Sequence, residues 1–411
     1  MSLIRRGGDI VTQAAPRLWG GIFLIAGCAT GAGMLALPIA TGGAGFFPSC
    51  ALLVLVWAFM AATGLLLAEV CQRTGCKGNL ISIAGQILGR WGRVISWLVT
   101  LFLFYCLLTA YYVGMGTQLS CTIGAHFGWL VSPELLMVFC MLFTGGALLI
   151  GSRAVDWSNR ILMIGLVISY VILITLGLVT MDSARLTYVD WTPTPFMMPI
   201  IMLSFAFQIV VPSVVEYSSG NRRDLIIMIL VGSAVPLVIY SAWQLVVLGN
   251  IPLDGPFGIH DSCARGLLAT HSLRELCCNP SIVQAGEAFV LFAIITSLLT
   301  VGMGFRDFLA DGLRMANVGW RKILLIALAL GPSICFSLQG PAIFLKALSL
   351  AGGFGVALLY GVLPPLMVWR ARYRMGLPGT SLLPGGRIVL LFLALFATAI
   401  ILIQGTSLWT C

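Results

Sequence analysis

Charge is scarce in this chain of 411 residues: 9% are Asp, Glu, Lys or Arg, 59% are hydrophobic, and the mean hydropathy is +1.04. Soluble domains carry about 25% charged residues, so a soluble globule is excluded. Histidine is scarcer still, with three, and His126, His260 and His271 all fall between apolar runs. No acidic pair lies in the middle of an apolar run. A membrane-embedded transferase needs paired acids for a metal-diphosphate, or a histidine base at membrane depth, and these absences argue against an enzyme. A small-residue cleavage site is missing too. Arg5 and Arg6 precede an apolar run that begins only near Leu18, which speaks against a cleaved signal peptide.

What the chain has in abundance is apolar length. Eleven runs, at roughly 18–41, 47–71, 94–120, 130–150, 157–180, 196–216, 225–248, 282–304, 322–338, 341–368 and 388–408, approach or exceed the ~20 residues that span a bilayer. An all-α polytopic membrane protein with about 11 transmembrane helices is expected, residues 1–411 forming a single transmembrane domain surrounded by lipid. With the N-terminus placed inside, 19 of the 23 basic residues fall on cytoplasmic connections and only Arg185, Arg265 and Arg274 outside. That asymmetry predicts a cytoplasmic N-terminus and an extracytoplasmic Cys411. The net charge of +9 then reflects topology and implies no nucleic-acid partner.

Twelve cysteines suggest a metal or disulfide framework until they are placed. Most lie in or near apolar runs, where cysteine packs as a small hydrophobe. Cys263, Cys277 and Cys278 share one polar loop predicted to lie outside, where Cys263 is expected to pair with Cys277 or Cys278. A zinc site from His260, Cys263, His271 and Cys277 is an alternative, although the spacing matches no standard pattern.

Two apolar runs carry helix breakers. The first contains Gly27-Cys28-Ala29-Thr30-Gly31-Ala32-Gly33, followed by Pro38, and the sixth places Ser204, Gln208, Pro212 and Ser213 at mid-depth. A glycine costs ~1 kcal/mol against alanine inside a helix and a proline about three times that. Lipid offers no partner to a freed N–H or C=O, so such breaks make sense where the backbone binds something polar. Packing glycines, here Gly27 and Gly31, are the competing explanation for either break alone. The two longest connections follow the second run (about 72–92) and the seventh (about 250–280). The first of these includes an amphipathic stretch suited to an interfacial helix. Each half thus opens on a broken helix and has a long connector after its second helix, with opposite orientation. Inverted repeats at about 18–180 and 196–368, with an extra helix at 388–408, are the pattern of a secondary transporter. A channel would need a ring of filter residues from several subunits, whereas this arrangement works as a monomer. Freed N–H groups near Thr30 to Gly33 suit a carboxylate, aided by the half-helix dipole. Freed carbonyls near Gly27 to Ala29 and Leu203 to Phe205 suit an ammonium or a cation, so a zwitterion such as an amino acid fits both.

The stretch from Gly20-Gly21 through Gly27-Cys28-Ala29-Thr30-Gly31-Ala32-Gly33 to Pro38 resembles the first helix of the bacterial aromatic amino acid permeases, which carry tyrosine and tryptophan. Phe205-Ala-Phe-Gln-Ile-Val-Val-Pro-Ser213 and Ile294 to Asp311, with Phe305-Arg306-Asp307, are similar as well. The resemblance covers nearly the whole chain. It implies a leucine-transporter-type 5+5 inverted repeat with broken helices 1 and 6. It also implies ion-driven import of aromatic amino acids across the bacterial inner membrane, with tyrosine ahead of tryptophan. By matching position, Ala29, Thr30, Gly31, Ala32 and Gly33 would hold the substrate backbone. Ser204, Phe205, Phe207 and Gln208 would form the opposite wall, with an aromatic lid. Tyr105 on the third helix is expected to face them, and Tyr111 and Tyr112 to join an interfacial aromatic belt.

Sodium-coupled proteins of this fold hold a cation between helices one and eight; here Gly27, Thr30, Thr296 and Ser297 would surround it. The proton-driven relatives that place a lysine on helix five find no counterpart, since only Arg160 is basic there. The aromatic permeases are generally proton symporters, which favours H+ over Na+ and implies no other cofactor. Intramembrane charges default to functional roles. Glu287 is the candidate protonatable group, Lys346 a residue that snorkels outward, partners Glu287 or lines the outer gate, and Arg306, Asp307 and Asp311 an inner latch or a solvated turn. Glu69 and Glu216 close helices two and six on the cytoplasmic side and are expected to snorkel or to pair with arginine.

Overall fold

The computed structural model describes residues 8–75, 78–218, 221–277 and 279–409. Among these, ten helices are long and apolar enough to cross a membrane, and a bent pair, Arg17–Ala29 with Ala32–Ala44, makes an eleventh span. We number the spans in chain order, with that pair as span 1. Span 2 is Phe46–Thr74, span 3 Leu80–Phe127, span 4 Pro133–Ile150 and span 5 Ser152–Thr180. Span 6 is Thr194–Tyr217, span 7 Arg222–Asn250, span 8 Pro280–Gly312, span 9 Gly319–Ser337, span 10 Ile343–Arg374 and span 11 Gly386–Ser407. The fold is the leucine-transporter type, all helical among the described residues. Spans alternate direction. Residues near 74, 151, 217, 312 and 374 therefore share the face that gathers the arginines, called here the basic face.

Both long connectors are structured. Asn79 opens the first by capping a short helix, its side chain accepting from the Ser82 N–H at 3.0 Å. Gly89, at φ 77°, ends that helix before the true span begins, a conformation that glycine adopts without a Cβ clash. The second connector forms two short helices, Ile259–Arg265 and Ala269–Leu276, on the opposite face.

Breaks fall where the sequence places them. Span 1 bends by 46° between Ala29 and Ala32. Span 6 leaves its first half, Thr194–Ser204, and resumes at Val211–Tyr217, with Pro212 in the first turn where its missing N–H costs nothing. Close approach elsewhere depends on glycine. A Cβ on Gly352 of span 10 would overlap the Pro199 carbonyl oxygen of span 6, so those helices touch backbone to backbone.

One buried carboxylate ties the basic face together. Glu69, fully buried near the end of span 2, accepts from Arg73 Nε at 2.8 Å and from the Leu382 N–H at 2.9 Å. Arg372 adds two bonds, from Nε at 2.7 Å and Nη2 at 2.6 Å. Four donors on one carboxylate offset its desolvation. This is the arginine pairing expected from the sequence.

Candidate functional site

The bend of span 1 leaves Gly31 extended (φ −150°, ψ −165°), a conformation open to any residue. Room there is tight, since a Cβ would stand 3.2 Å from Ser297 Oγ on span 8 and that hydroxyl would have to shift. Around this bend lies a cavity of about 330 Å³, within the range of small-molecule sites. Gly27, Ala29, Thr30, Gly31 and Gly33 line it from span 1, Ser204 from span 6, and Thr296 and Ser297 from span 8. These eight expected residues are brought together.

Their polar atoms are only partly engaged. Ala32 N–H donates to Ser297 Oγ at 3.0 Å, which pins span 1 to span 8. Ser204 Oγ reaches the Gly33 carbonyl at 3.1 Å, linking the two breaks. Thr30 Oγ1 is buried with no partner among the described residues. The N–H groups of Gly31 and Gly33 make no bond to another span. An orphaned buried hydroxyl beside two free N–H groups is an arrangement chemically able to accept a carboxylate. The apolar walls come from Leu103, Phe104, Leu107 and Tyr111 on span 3, Leu203 on span 6 and Tyr360 on span 10.

The cavity opens toward the basic face. Met163, Ile209, Thr300 and Gly304 line it on that side and are exposed. Toward the opposite face Ala32, Met34, Leu35, Ala36 and Leu37 are packed shut, none more than 2% exposed. Beyond that plug lies a second cavity of about 800 Å³. Lys346 stands on its wall with Asp190, His260 and Phe196.

Several sequence expectations are corrected. Tyr105 turns out of the cavity: its hydroxyl bonds the Leu328 carbonyl of span 9 at 2.9 Å and its ring meets Phe305 edge-on. Tyr111 and Tyr112 are buried rather than interfacial, and Tyr111 lines the cavity. The cavity stripe on span 3 is Thr100, Leu103, Phe104, Leu107 and Tyr111, one face of the helix, which excludes residue 105. Ala32 contributes its N–H to the protein and not to the cavity surface. Phe205, Phe207 and Gln208 face away as well. Phe205 packs on Tyr240, Phe207 lies over Gly64 of span 2, and Gln208 Nε2 bonds the Met60 carbonyl at 3.1 Å and Thr63 Oγ1 at 3.3 Å. Their places at the break are taken by Leu203, Ala206 and Ile209.

The charged candidates are also relocated. Glu287 pairs with Arg274 of the opposite-face connector, which bonds Thr122 too, so its charge is neutralised far from Thr296 and Ser297. Lys346 is therefore not its partner. Arg306 and Asp307 pair with each other on span 8 at 2.8 Å, and Arg306 also caps the Leu148 carbonyl of span 4. Asp307 also accepts from Asn317 Nδ2 in the connector after span 8, at 3.1 Å, so the cluster joins spans 4 and 8 to that connector and is intact while the cavity is open. Thr296 bonds back to its own helix at Phe292 and Ala293. A hydroxyl so engaged keeps a lone pair for a cation but not its proton.

On the opposite face Cys263 is a free thiol, so the expected bridge to Cys277 is not formed; Cys278 lies outside the described residues. The zinc alternative is not assembled either. His260 bonds Asp254 at 2.8 Å, His271 stacks on Phe257, and no group of three ligand side chains converges among the described residues. Burial holds the His271 imidazole below its ordinary pKa, and the Phe257 N–H holds the Asp261 carboxyl below the usual range.

In sequence and in fold the chain is similar to known proteins. The profile of the Tryptophan/tyrosine permease family fits residues 14–404. The tyrosine-specific transport system 1 of Haemophilus influenzae is 33% identical over 86% of this chain and 88% of its own length. The tryptophan-specific transport protein of the same organism is 29% identical over 96% and 97%. Among solved structures, MhsT in complex with L-phenylalanine superposes with a TM-score of 0.63 at 16% identity, covering 94% of this chain and 98% of that one.

Proposed function

We propose, for a chain that belongs to the tryptophan/tyrosine permease family, that it imports aromatic amino acids by proton symport across a bacterial inner membrane. Membership makes it an amino acid transport protein and not an enzyme; substrate, coupling ion and orientation are the proposal. The observation that carries it is the cavity at the span 1 break. Thr30 Oγ1 and the N–H groups of Gly31 and Gly33 form one polar end, and Phe104, Leu107, Tyr111 and Tyr360 form an apolar remainder. A carboxylate fits the first and an aromatic ring the second. Tyrosine is placed ahead of tryptophan because the relative at 33% identity is named for it. With the basic face in the cytoplasm, the structure is inward-open. The shut plug and Lys346 beyond it then stand where an outer gate would act. The protein works as a monomer, since both breaks lie in one chain.

Sodium coupling is the second reading, favoured by the convergence of Gly27, Thr30, Thr296 and Ser297 on one cavity wall. Uptake of labelled tyrosine, tryptophan and leucine into proteoliposomes, with proton and sodium gradients imposed separately, tests both. Saturable tyrosine uptake driven by the proton gradient alone is expected. Uptake driven only by sodium would replace the coupling assignment, and preference for leucine would overturn the substrate.

A further inference from the structure

Span 7 carries a residue that neither break accounts for. Tyr240 is fully buried, and its hydroxyl lies 2.7 Å from the Ala29 carbonyl oxygen and 2.7 Å from the Ser204 carbonyl oxygen. Those are the last residues of the half-helices before the two breaks. Each carbonyl lost its helical N–H partner where the helix stopped. A phenol carries one hydrogen and both neighbours are acceptors, so the two carbonyls share a single donor.

The ring is held in place on both sides. Gly232, about two turns earlier on span 7, lets that helix close on span 1, where a Cβ would come within 2.9 Å of Ile25 Cβ and 3.0 Å of the Ile22 carbonyl. Phe205 packs its ring edge-on at 5.1 Å between centroids. This explains why Phe205 leaves the cavity wall: it buttresses Tyr240.

Two half-helix carbonyls aimed at one buried point are the kind of ligand pair that a hard monovalent cation uses. We propose that the Tyr240 hydroxyl fills this point from within the chain, excluding a metal cation there and tethering the two broken helices to each other. The inference deepens the reading of the chain as an ion-coupled carrier and rests on it. It confines any coupling ion to the other side of the break, at Gly27, Thr30, Thr296 and Ser297, or to a proton. Tyr240 is a positioning residue, acting through the carbonyls it holds.

The test needs neither substrate nor transport, so it fails independently of the substrate assignment. Purified protein is melted in choline chloride and in sodium chloride at equal ionic strength, as wild type, Tyr240→Phe and Ser204→Ala. Tyr240→Phe removes one oxygen and leaves two buried acceptors without a donor. Its midpoint is expected to fall by several degrees in choline and to recover at least half of that loss in sodium, with a sodium dependence that saturates. Ser204→Ala, which breaks the neighbouring link to Gly33 but spares both carbonyls, should fall without the added sodium response. Any sodium shift of the wild type itself should be matched in Ser204→Ala. An unchanged midpoint for Tyr240→Phe in choline would overturn the tether. Equal sodium shifts in wild type and Tyr240→Phe, or failure of that variant to fold in either salt, would overturn the exclusion of a cation.

Discussion

The breaks in spans 1 and 6 are counterparts in an inverted repeat, yet they differ in what they do with the groups they free. Span 1 turns nearly its whole break toward the cavity: Gly27, Ala29, Thr30, Gly31 and Gly33 all line it. Span 6 turns its bulk inward to the protein, with Phe205 and Phe207 fully buried and Gln208 bonded to span 2. Of its expected wall only Ser204 reaches the cavity. Matching topology therefore fixes where two helices open but not which one offers its backbone to a ligand. The first break is the receptor of the proposed function and the second a brace.

That division can be broken from either side. Phe207→Ala should act on the brace, costing about 3–5 kcal/mol of stability as a large ring is removed from a buried place. Thermal melting reads the loss, while substrate affinity per folded molecule stays unchanged; a selective loss of affinity would move Phe207 back to the cavity. Gly31→Leu should act on the receptor. The side chain would meet Ser297 and fill the carboxylate end, weakening binding at least about 100-fold, or about 3 kcal/mol. Normal affinity in an inserted, folded Gly31→Leu protein would defeat the site. Thr30→Val keeps the shape and deletes only the unpartnered hydroxyl. A hydrogen bond to a charged group is worth about 1.5–3 kcal/mol, so affinity should drop about tenfold or more, measured by isothermal titration. No change would mean that Thr30 faces the ion and not the carboxylate.

Spans, connectors and both breaks were legible because they depend on apolar length and on Gly and Pro, which act through the local backbone. Facing was harder. A helix with lipid on one side and protein on the other is apolar all round, so residue type does not mark the inner side. Tyr105 and Tyr111 differ by six positions on span 3, and only the stripe through Phe104 and Leu107 separates them. After a break, rotation restarts at an angle set by tertiary contacts. Phe205 follows Tyr240, and Phe207 follows the room above Gly64. The charges erred for another reason. Glu287 found its partner in Arg274 on a connector helix, 13 residues away in sequence but placed beside it only by the fold.

The Glu69 knot has a consequence for biogenesis. Arg73 is one turn away and present from the start, but Arg372 and Leu382 follow 303 and 313 residues later in the chain. At about 5–20 residues per second, the ribosome leaves that carboxylate waiting on the order of 15–60 s for its remaining three bonds. During that interval the end of span 2 is held by a single arginine at the water interface. The knot can close only when span 10 has been delivered and the loop behind it has folded back, so its completion comes late in synthesis.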